Sequence, residues 1–540
     1  MTHSGRAPWI AALALLATIV AVFGPALRFD ATSVDDDAVV FRNPIQRDFG
    51  RRELRDALDP RASRLAYGLQ YTPIADLSYA LDGRLLGRAP GAYHLQGLLL
   101  HVAATSLLVV LARRLGASAT AAASAGALFG LHPLQVEPVV SISAREVVWA
   151  GALLLAMLVA WQRARAAHSR GAAAGALALA VLANLAKQTA VVSALLVIAL
   201  DLTVAARNEP WRRRLRVWLP HLAITVAFVW LGLVVGRREG IVAPSTLGAA
   251  ARLRLALAAV GLYARMLVWP VGLLPAYDVD APAAWLDGRV VAGTAAIVVG
   301  LVLIAAGWRR APRLVLGVLL AGIALAPVAH GLGTQVVADR YAYVAMAGIA
   351  LAVASVFELA AARAPRAAGT CALVGIAACT LVARARVDVW RNDVTLFADA
   401  AATEPGKPLW HHLLGRALIM SGAAETGRAE MALARRLAPN GVVDGYCPMP
   451  AVVGELARQR ERAGDLDAAE AMLRTALVEA RPGETDAAAV DLAGFYLRRG
   501  DRARARDAYL DAVTRDPDDA PRATEALRQL DREAALHPGP

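Results

Sequence analysis

Through the first 385 residues, apolar stretches alternate with short polar ones. Apolar segments fall near 9–27, 95–112, 117–131, 147–161, 172–186, 189–206, 218–235, 290–307, 313–329, 341–358 and 367–383. Each approaches the ~20 residues that a helix needs to cross a bilayer, and several Ala-rich ones are short. The pattern predicts about eleven spanning helices. Residues 255–274 break the rhythm, being apolar but carrying Arg265 near the middle and Trp269-Pro270 towards the end. They are read as an interfacial or re-entrant helix with Trp269 at headgroup level. Residues 1–27 are read as an uncleaved first span, because the apolar run exceeds the ~7–15 residues of a signal peptide's apolar core.

After residue 386 the pattern changes period. Prolines that end helices fall at Pro405, Pro439, Pro482 and Pro517, and the first interval is 34 residues, the tetratricopeptide period. An insert around Gly445 to Pro450 lengthens the second interval, while Gly422, Gly464 and Gly500 recur at turn positions. Small residues (Ala434, Ala469, Ala476, Ala505, Ala512) sit where paired helices must approach. Bulky ones (Leu414, Met431, Leu456, Leu473, Leu492, Tyr496, Tyr509) fill the next layer. The expected fold is all-α, with a polytopic membrane domain over 1–384 and a helical-repeat solenoid over 385–540. Such a stack offers a concave surface for a peptide or partner.

Composition agrees with the membrane reading: 57% of residues are hydrophobic and 19% charged, against about 25% charged in soluble domains. The net charge of +12 suggests nucleic acid until it is mapped. The part after 385 is nearly neutral, so the excess arginine lies in short loops: 113–114, 163–170, 207–216, 309–313 and 363–366. Placing all five on the cytoplasmic side gives one consistent topology, N-terminus inside and repeats outside. No nucleic-acid partner is expected. Cys371 and Cys379 are eight helical residues apart, about 12 Å, too far for a disulfide. Cys447 stands alone, and no spacing of His and Cys suggests zinc.

This topology collects five polar clusters on the outer face. They are Asp35-Asp36-Asp37; Tyr71-Thr72-Pro73 with Asp76, Asp82 and His94; His132-Pro133 with Glu137; Asn184 to Gln188 around Lys187; and Asp339-Arg340-Tyr341. A charge run is by default a solvated face, and Lys187 or His132 alone reads as an interface anchor or a helix end. Convergence on one side is the stronger signal.

Several of these stretches, in order, resemble the transmembrane and tetratricopeptide-repeat O-mannosyltransferases and their bacterial relatives, of the GT-C glycosyltransferase superfamily. Asp35-Asp36 with Asn43-Pro44 is similar to that family's acidic pair and downstream Asn-Pro. Leu77 to Asp82, then Tyr93-His94-Leu95 and His101, look like its second-span entry. His132-Pro133-Leu134 with Glu137 matches its His-Pro loop, and Ser143 with Arg145 is similar to the motif after it. Trp269 to Leu273 matches a Trp-Pro segment, and Asp339-Arg340-Tyr341 with Tyr343 its acid-Arg-Tyr motif. The chain departs from the family at Thr72 (usually Arg), Gln135 (His), Val147 (an acid) and Gln188 (Glu).

The resemblance implies transfer of a sugar, mannose or another hexose, from a polyprenyl-phosphate donor to a hydroxyl of an exported protein or a glycan. It implies a bacterial inner membrane, with the repeats on the periplasmic or extracellular side. A hydroxyl is a poor nucleophile, so a carboxylate must take its proton as the new bond forms. Direct displacement inverts the anomeric centre. Asp35 is the expected base, with Asp36 and Glu137 positioning acceptor or sugar. Lys187 and Arg340 would hold the lipid phosphate, supported by His94, His132, Arg145, Asp339 and Tyr341. No organic cofactor is expected; the paired acids are a candidate for one divalent cation. Two other classes fit the same outline: a membrane-anchored scaffold and a lipid-linked-sugar transporter. A transporter places ionisable groups mid-span; here they cluster at span ends.

Overall fold

In the computed structural model, residues 7–41, 43–47, 49–62, 70–205, 209–238, 247–277, 279–327, 336–437, 464–480, 485–515 and 520–536 are described, with a few single positions between 454 and 517. Pro439, Cys447, Leu456, Pro482 and the insert at 445–450 lie outside these residues. The chain forms two compact units, Met1–Glu404 and Pro405–Pro540.

The first unit is a helical bundle. Its helices are α1 (Ala7–Phe23), α2 (Arg51–Leu58), α3 (Pro73–Leu85), α4 (Pro90–Arg114), α5 (Ala119–Leu131), α6 (Arg145–Ala167), α7 (Arg170–Ala186) and α8 (Ser193–Leu200). They continue with α9 (Trp211–Arg238), α10 (Ala249–Val268), α11 (Gly288–Gly307), α12 (Pro312–Leu325), α13 (Tyr343–Ala361), α14 (Pro365–Val389) and α15 (Asp393–Thr403). Local chemistry sets several starts. Proline opens α3, α4, α12 and α14, where its missing N–H costs nothing. Ser118 and Ser169 cap α5 and α7 by accepting from Ala121 N and Ala172 N, both at 3.2 Å.

Seven helices among the described residues are long and apolar enough to cross a membrane, and four shorter apolar ones accompany them. Together these eleven coincide with the apolar segments read from the sequence, as a multi-pass membrane protein requires. Helix α10, with Arg252, Arg254 and Arg265, is not in that group. It packs on α11 with their backbones in contact at Gly261 and Gly293. One buried acid inside the bundle is fully paired: Asp201 accepts from Trp161 Nε1 and Trp218 Nε1, each at 2.9 Å.

The second unit consists of α16 (Pro408–Met420), α17 (Ala424–Leu437), α18 (Leu466–Glu479), α19 (Thr485–Arg498), α20 (Arg502–Arg515) and α21 (Pro521–Leu536). The turn glycines Gly422, Gly464 and Gly500 adopt φ of 95°, 81° and 76°, a region that other residues enter only with strain. Ala434, Ala469, Ala476, Ala505 and Ala512 are buried, and so are Leu414, Met431, Leu473, Leu492, Tyr496 and Tyr509.

Two close approaches fix α13. Gly317 on α12 faces Gly348 on α13 with no side chain between, and Gly151 on α6 leaves room for the Tyr343 ring. A Cβ on Gly348 would stand 2.5 Å from Ala321 N and 2.6 Å from Gly317 O. Both are backbone atoms that cannot step aside. Gly348→Ala is therefore expected to destabilise the purified protein by about 1–3 kcal/mol. Gly369→Ala on α14, where nothing lies within 4 Å, should leave the thermal midpoint unchanged or raised. Equal midpoints for both variants would refute the close contact.

Candidate active site

The polar clusters meet at one end of the bundle, most on loops between helices, with Asp76 and Asp82 on α3 and His94 on α4. The loop after α1 is pinned from two sides. Asp36 is buried (1% exposed) and uses both carboxylate oxygens. Oδ2 accepts from Thr32 N (2.9 Å) and Thr32 Oγ1 (3.1 Å), and Oδ1 accepts from Ser143 N (2.8 Å). Ser33 N donates to Asp393 Oδ1 at 2.7 Å, at the start of α15. With Asp36 turned inward, Asp35 is turned out and keeps 39% of its side chain accessible. Protein still crowds its carboxyl, and this burial raises its pKa from 3.8 to about 6. Arg340 pulls the other way, while Asp36, Glu137 and Glu146 add to the rise.

Segment 338–341, which leads into α13, is held residue by residue. Tyr263 on α10 bonds Ala338 at both its N–H and its carbonyl, each at 3.2 Å. Tyr277 donates to Asp339 Oδ1 at 2.7 Å and accepts from Leu274 N at 3.0 Å. Glu137 is buried and takes the Arg340 backbone N–H on Oε2 at 2.9 Å and its guanidinium on Oε1. The other guanidinium nitrogen, Nη2, lies 3.7 Å from Asp35 Oδ2. The guanidinium also lies over the Tyr341 ring, 5.5 Å from its centre. One arginine is thus gripped by Glu137 and presented to Asp35.

Lys187 follows α7 and is buried. Its Nζ meets Glu146 Oε1 and, at 2.9 Å, Gln70 Oε1. Glu146 supplies the carboxylate that Gln188 does not. The Gln188 amide instead lies against α9, 3.6 Å from where a Cβ on Gly232 would stand. Arg340 and Tyr341 stand at a narrow cleft whose other walls are apolar: Val147, Ala150 and Leu154 of α6, Val192, Ala324 of α12 and Val344 of α13, with Thr189.

The supporting residues divide. Arg145 is caged: it donates to Asp82 Oδ2, Gln96 Oε1 and Tyr93 O, each at 2.6 Å, and stacks on Tyr79. It braces α3, α4 and α6 without reaching the cleft. His132 accepts from Leu134 N on Nδ1, so the ring proton sits on Nε2 and goes to Leu267 O at 3.2 Å. Burial lowers its pKa to about 4, and it serves as a neutral cap tying the loop to α10. His94 is buried beneath the acidic loop. The sequence reading missed Glu146, Gln70 and Tyr277, and it named Asp82 without its partner Arg145. Glu146 left a trace, as an acid in the first turn of an apolar helix beside Arg145. No three His, Cys, Asp or Glu converge among the described residues, and protein N–H and O–H groups already donate to both Asp36 oxygens.

No known family's sequence profile matches the chain. Curated proteins named protein O-mannosyl-transferase do. Tmtc2 of Drosophila melanogaster is 32% identical over 153 residues, 27% of this chain and 16% of its own length. Tmtc1 of the same fly is 32% identical over 126 residues, 23% of this chain and 15% of its own. The Xenopus laevis tmtc2 is 36% identical over 93 residues, 17% and 11%. The matched stretches thus span about a sixth or less of these relatives' length, and the family resemblance drawn from the motifs is borne out over them. Among solved structures, the crystal structure of ArnT from Cupriavidus metallidurans bound to undecaprenyl phosphate aligns at 18% identity and a TM-score of 0.40, over 85% of this chain and 80% of that one.

The two neighbouring acids should separate on mutation. Asp36→Asn turns an NH₂ towards buried N–H donors and is expected to cost about 1–3 kcal/mol of stability. Asp35→Asn, with no such donors facing it, should stay within about 0.5 kcal/mol of the wild type. Thermal midpoints of the purified variants check this; the reverse order would mean that the loop is pinned by the other acid.

Proposed function

We propose that the chain is a membrane glycosyltransferase that moves a hexosyl group from a polyprenyl-phosphate donor to a hydroxyl on an exported protein or a glycan. The observation that carries the reading is the half-open Asp35 carboxylate 3.7 Å from Arg340, which itself lines a narrow, largely apolar cleft. Base and cation stand side by side, 3.7 Å apart, where a sugar–phosphate would have to meet both. The named O-mannosyl-transferase relatives support the same class.

In the proposed reaction the acceptor oxygen attacks the anomeric carbon and its proton passes to Asp35. The bond from that carbon to the phosphate oxygen breaks, and the electron pair leaves on the lipid phosphate. The centre inverts. Arg340 and Lys187 stabilise the charge that develops on the leaving group. Both are paired with carboxylates beforehand, so Glu137 and Glu146 act as positioning residues. Asp36 positions Asp35 by locking the loop. The solenoid would carry the protein acceptor, on the same outer side of a bacterial inner membrane.

Two measurements on the purified, reconstituted protein test this. With wild type, the transfer rate should fall as pH drops through about 6, because a base must be unprotonated to act and the Asp35 pKa is raised to about 6. Asp35→Asn should lower the rate by about 10²–10⁴-fold and abolish that acid limb. A flat profile, or full activity in Asp35→Asn, would refute Asp35 as the base; no transfer by the wild type would favour a scaffold.

Arg340→Ala should weaken donor use by roughly 1.5–3 kcal/mol, the range for a charged hydrogen bond. Arg340→Lys should recover only part, since a point charge cannot serve Glu137 and a phosphate as a planar fork does. Unchanged donor affinity in both variants would remove Arg340 from the phosphate site.

A further inference from the structure

A second cavity, of about 670 Å³, lies between the end of α1 and the end of α14. None of its lining residues belongs to the cleft beside Asp35. One wall is apolar, built from Val20, Pro25, Leu27 and Phe29; the rim carries Arg28, Arg384, Arg391 and Asp388.

The rim has three cations against one acid. Asp388 accepts from Arg384 Nη1 at 2.7 Å and from Arg391 Nη2 at 3.3 Å. That pair of contacts uses the only carboxylate on the rim. Arg28 is exposed and has no carboxylate partner among the described residues. Two positive charges are therefore left over, pointed at one opening. The wall below them continues onto helix surfaces suited to hydrocarbon: Val20 is 49% exposed, and Leu381 on α14 is 72% exposed. Both helices are span candidates, so the cavity straddles the boundary between an apolar helix surface and its charged end.

We propose that this cavity binds the phosphate headgroup of an anionic phospholipid, with the acyl chains lying along α1 and α14. A soluble anion would use the arginines and leave the apolar wall uncovered. A zwitterionic lipid would bring its own cation and gain little from the excess charge. Basic pockets between spanning helices are suited to anionic headgroups, each Arg or Lys strengthening binding by about fivefold. The bound lipid would brace the first and last span candidates, α1 and α14, separately from the proposed transfer reaction.

The test uses the full-length protein in detergent. Native mass spectrometry would compare retention of phosphatidylglycerol and phosphatidylcholine, and thermal midpoints would be read with each lipid and with inorganic phosphate alone. Phosphatidylglycerol should be retained in preference and should raise the midpoint. Arg28→Gln should weaken its retention about fivefold while leaving the lipid-free midpoint unchanged, because Arg28 holds no internal carboxylate. Arg28→Lys should keep most of the binding. Equal retention of the two lipids would overturn the proposal, as would wild-type retention by Arg28→Gln. Inorganic phosphate raising the midpoint as much as phosphatidylglycerol would replace the lipid with a soluble anion.

Discussion

The carboxylate of Glu137 is the joint on which the polar end of the bundle is assembled. It is buried, and it holds Arg340 twice, at the backbone and at the guanidinium. Removing one partner of a buried pair leaves an uncompensated charge, typically costing 3–5 kcal/mol. Here the same loss would also free segment 338–341, which otherwise depends on two tyrosine hydroxyls. The position of Arg340 opposite Asp35 follows from this joint together with the packing of α13. The Gly151 notch seats Tyr343, and the Gly317–Gly348 contact sets how closely α13 can lie.

Much of the architecture was legible because a bilayer imposes a simple rule on sequence. A span needs a long apolar run, and eleven such runs became eleven apolar helices. The helical turns of the second unit were legible for a related reason, since a turn glycine such as Gly422, Gly464 or Gly500 is a local feature. Partners at the site were not. Arg340 and Glu137 are 203 residues apart and Asp36 reaches Ser143 across 107; no local pattern encodes such pairs. Asp35 and Asp36 look alike in sequence, and only the buried N–H groups distinguish the inward acid from the outward one. The roles first given to Asp36 and Arg145 illustrate the difficulty, because a conspicuous charge at a helix end can serve the scaffold as readily as the reaction. His132 was the easier case, as its capping partner lies two residues away.

Helix α10 resolves why an apolar segment should carry three arginines. Its inward face supplies Tyr263 to Ala338 and the Leu267 carbonyl to His132. It therefore holds two of the loops that form the site, while Gly261 lets it approach α11 backbone to backbone. Arg254 caps a loop carbonyl, Pro282 O, at 2.6 Å and lies over Trp285. The charge that disqualifies the segment as a simple span thus fastens the following loop.

The pairing of both cations with acids has a consequence for turnover. In the ion pairs of Arg340 and Lys187, three carboxylates (Asp35, Glu137 and Glu146) meet two cations. Under the proposed reaction the donor enters as a singly charged diester, and the spent lipid carries a second ionisable oxygen. While Asp35 holds the acceptor's proton, it adds no charge to the two ion pairs and the spent lipid stays. Once Asp35 returns that proton to water, its restored charge repels the phosphate at short range, where screening is weak. A single proton would then both complete the chemistry and open the site for the next donor.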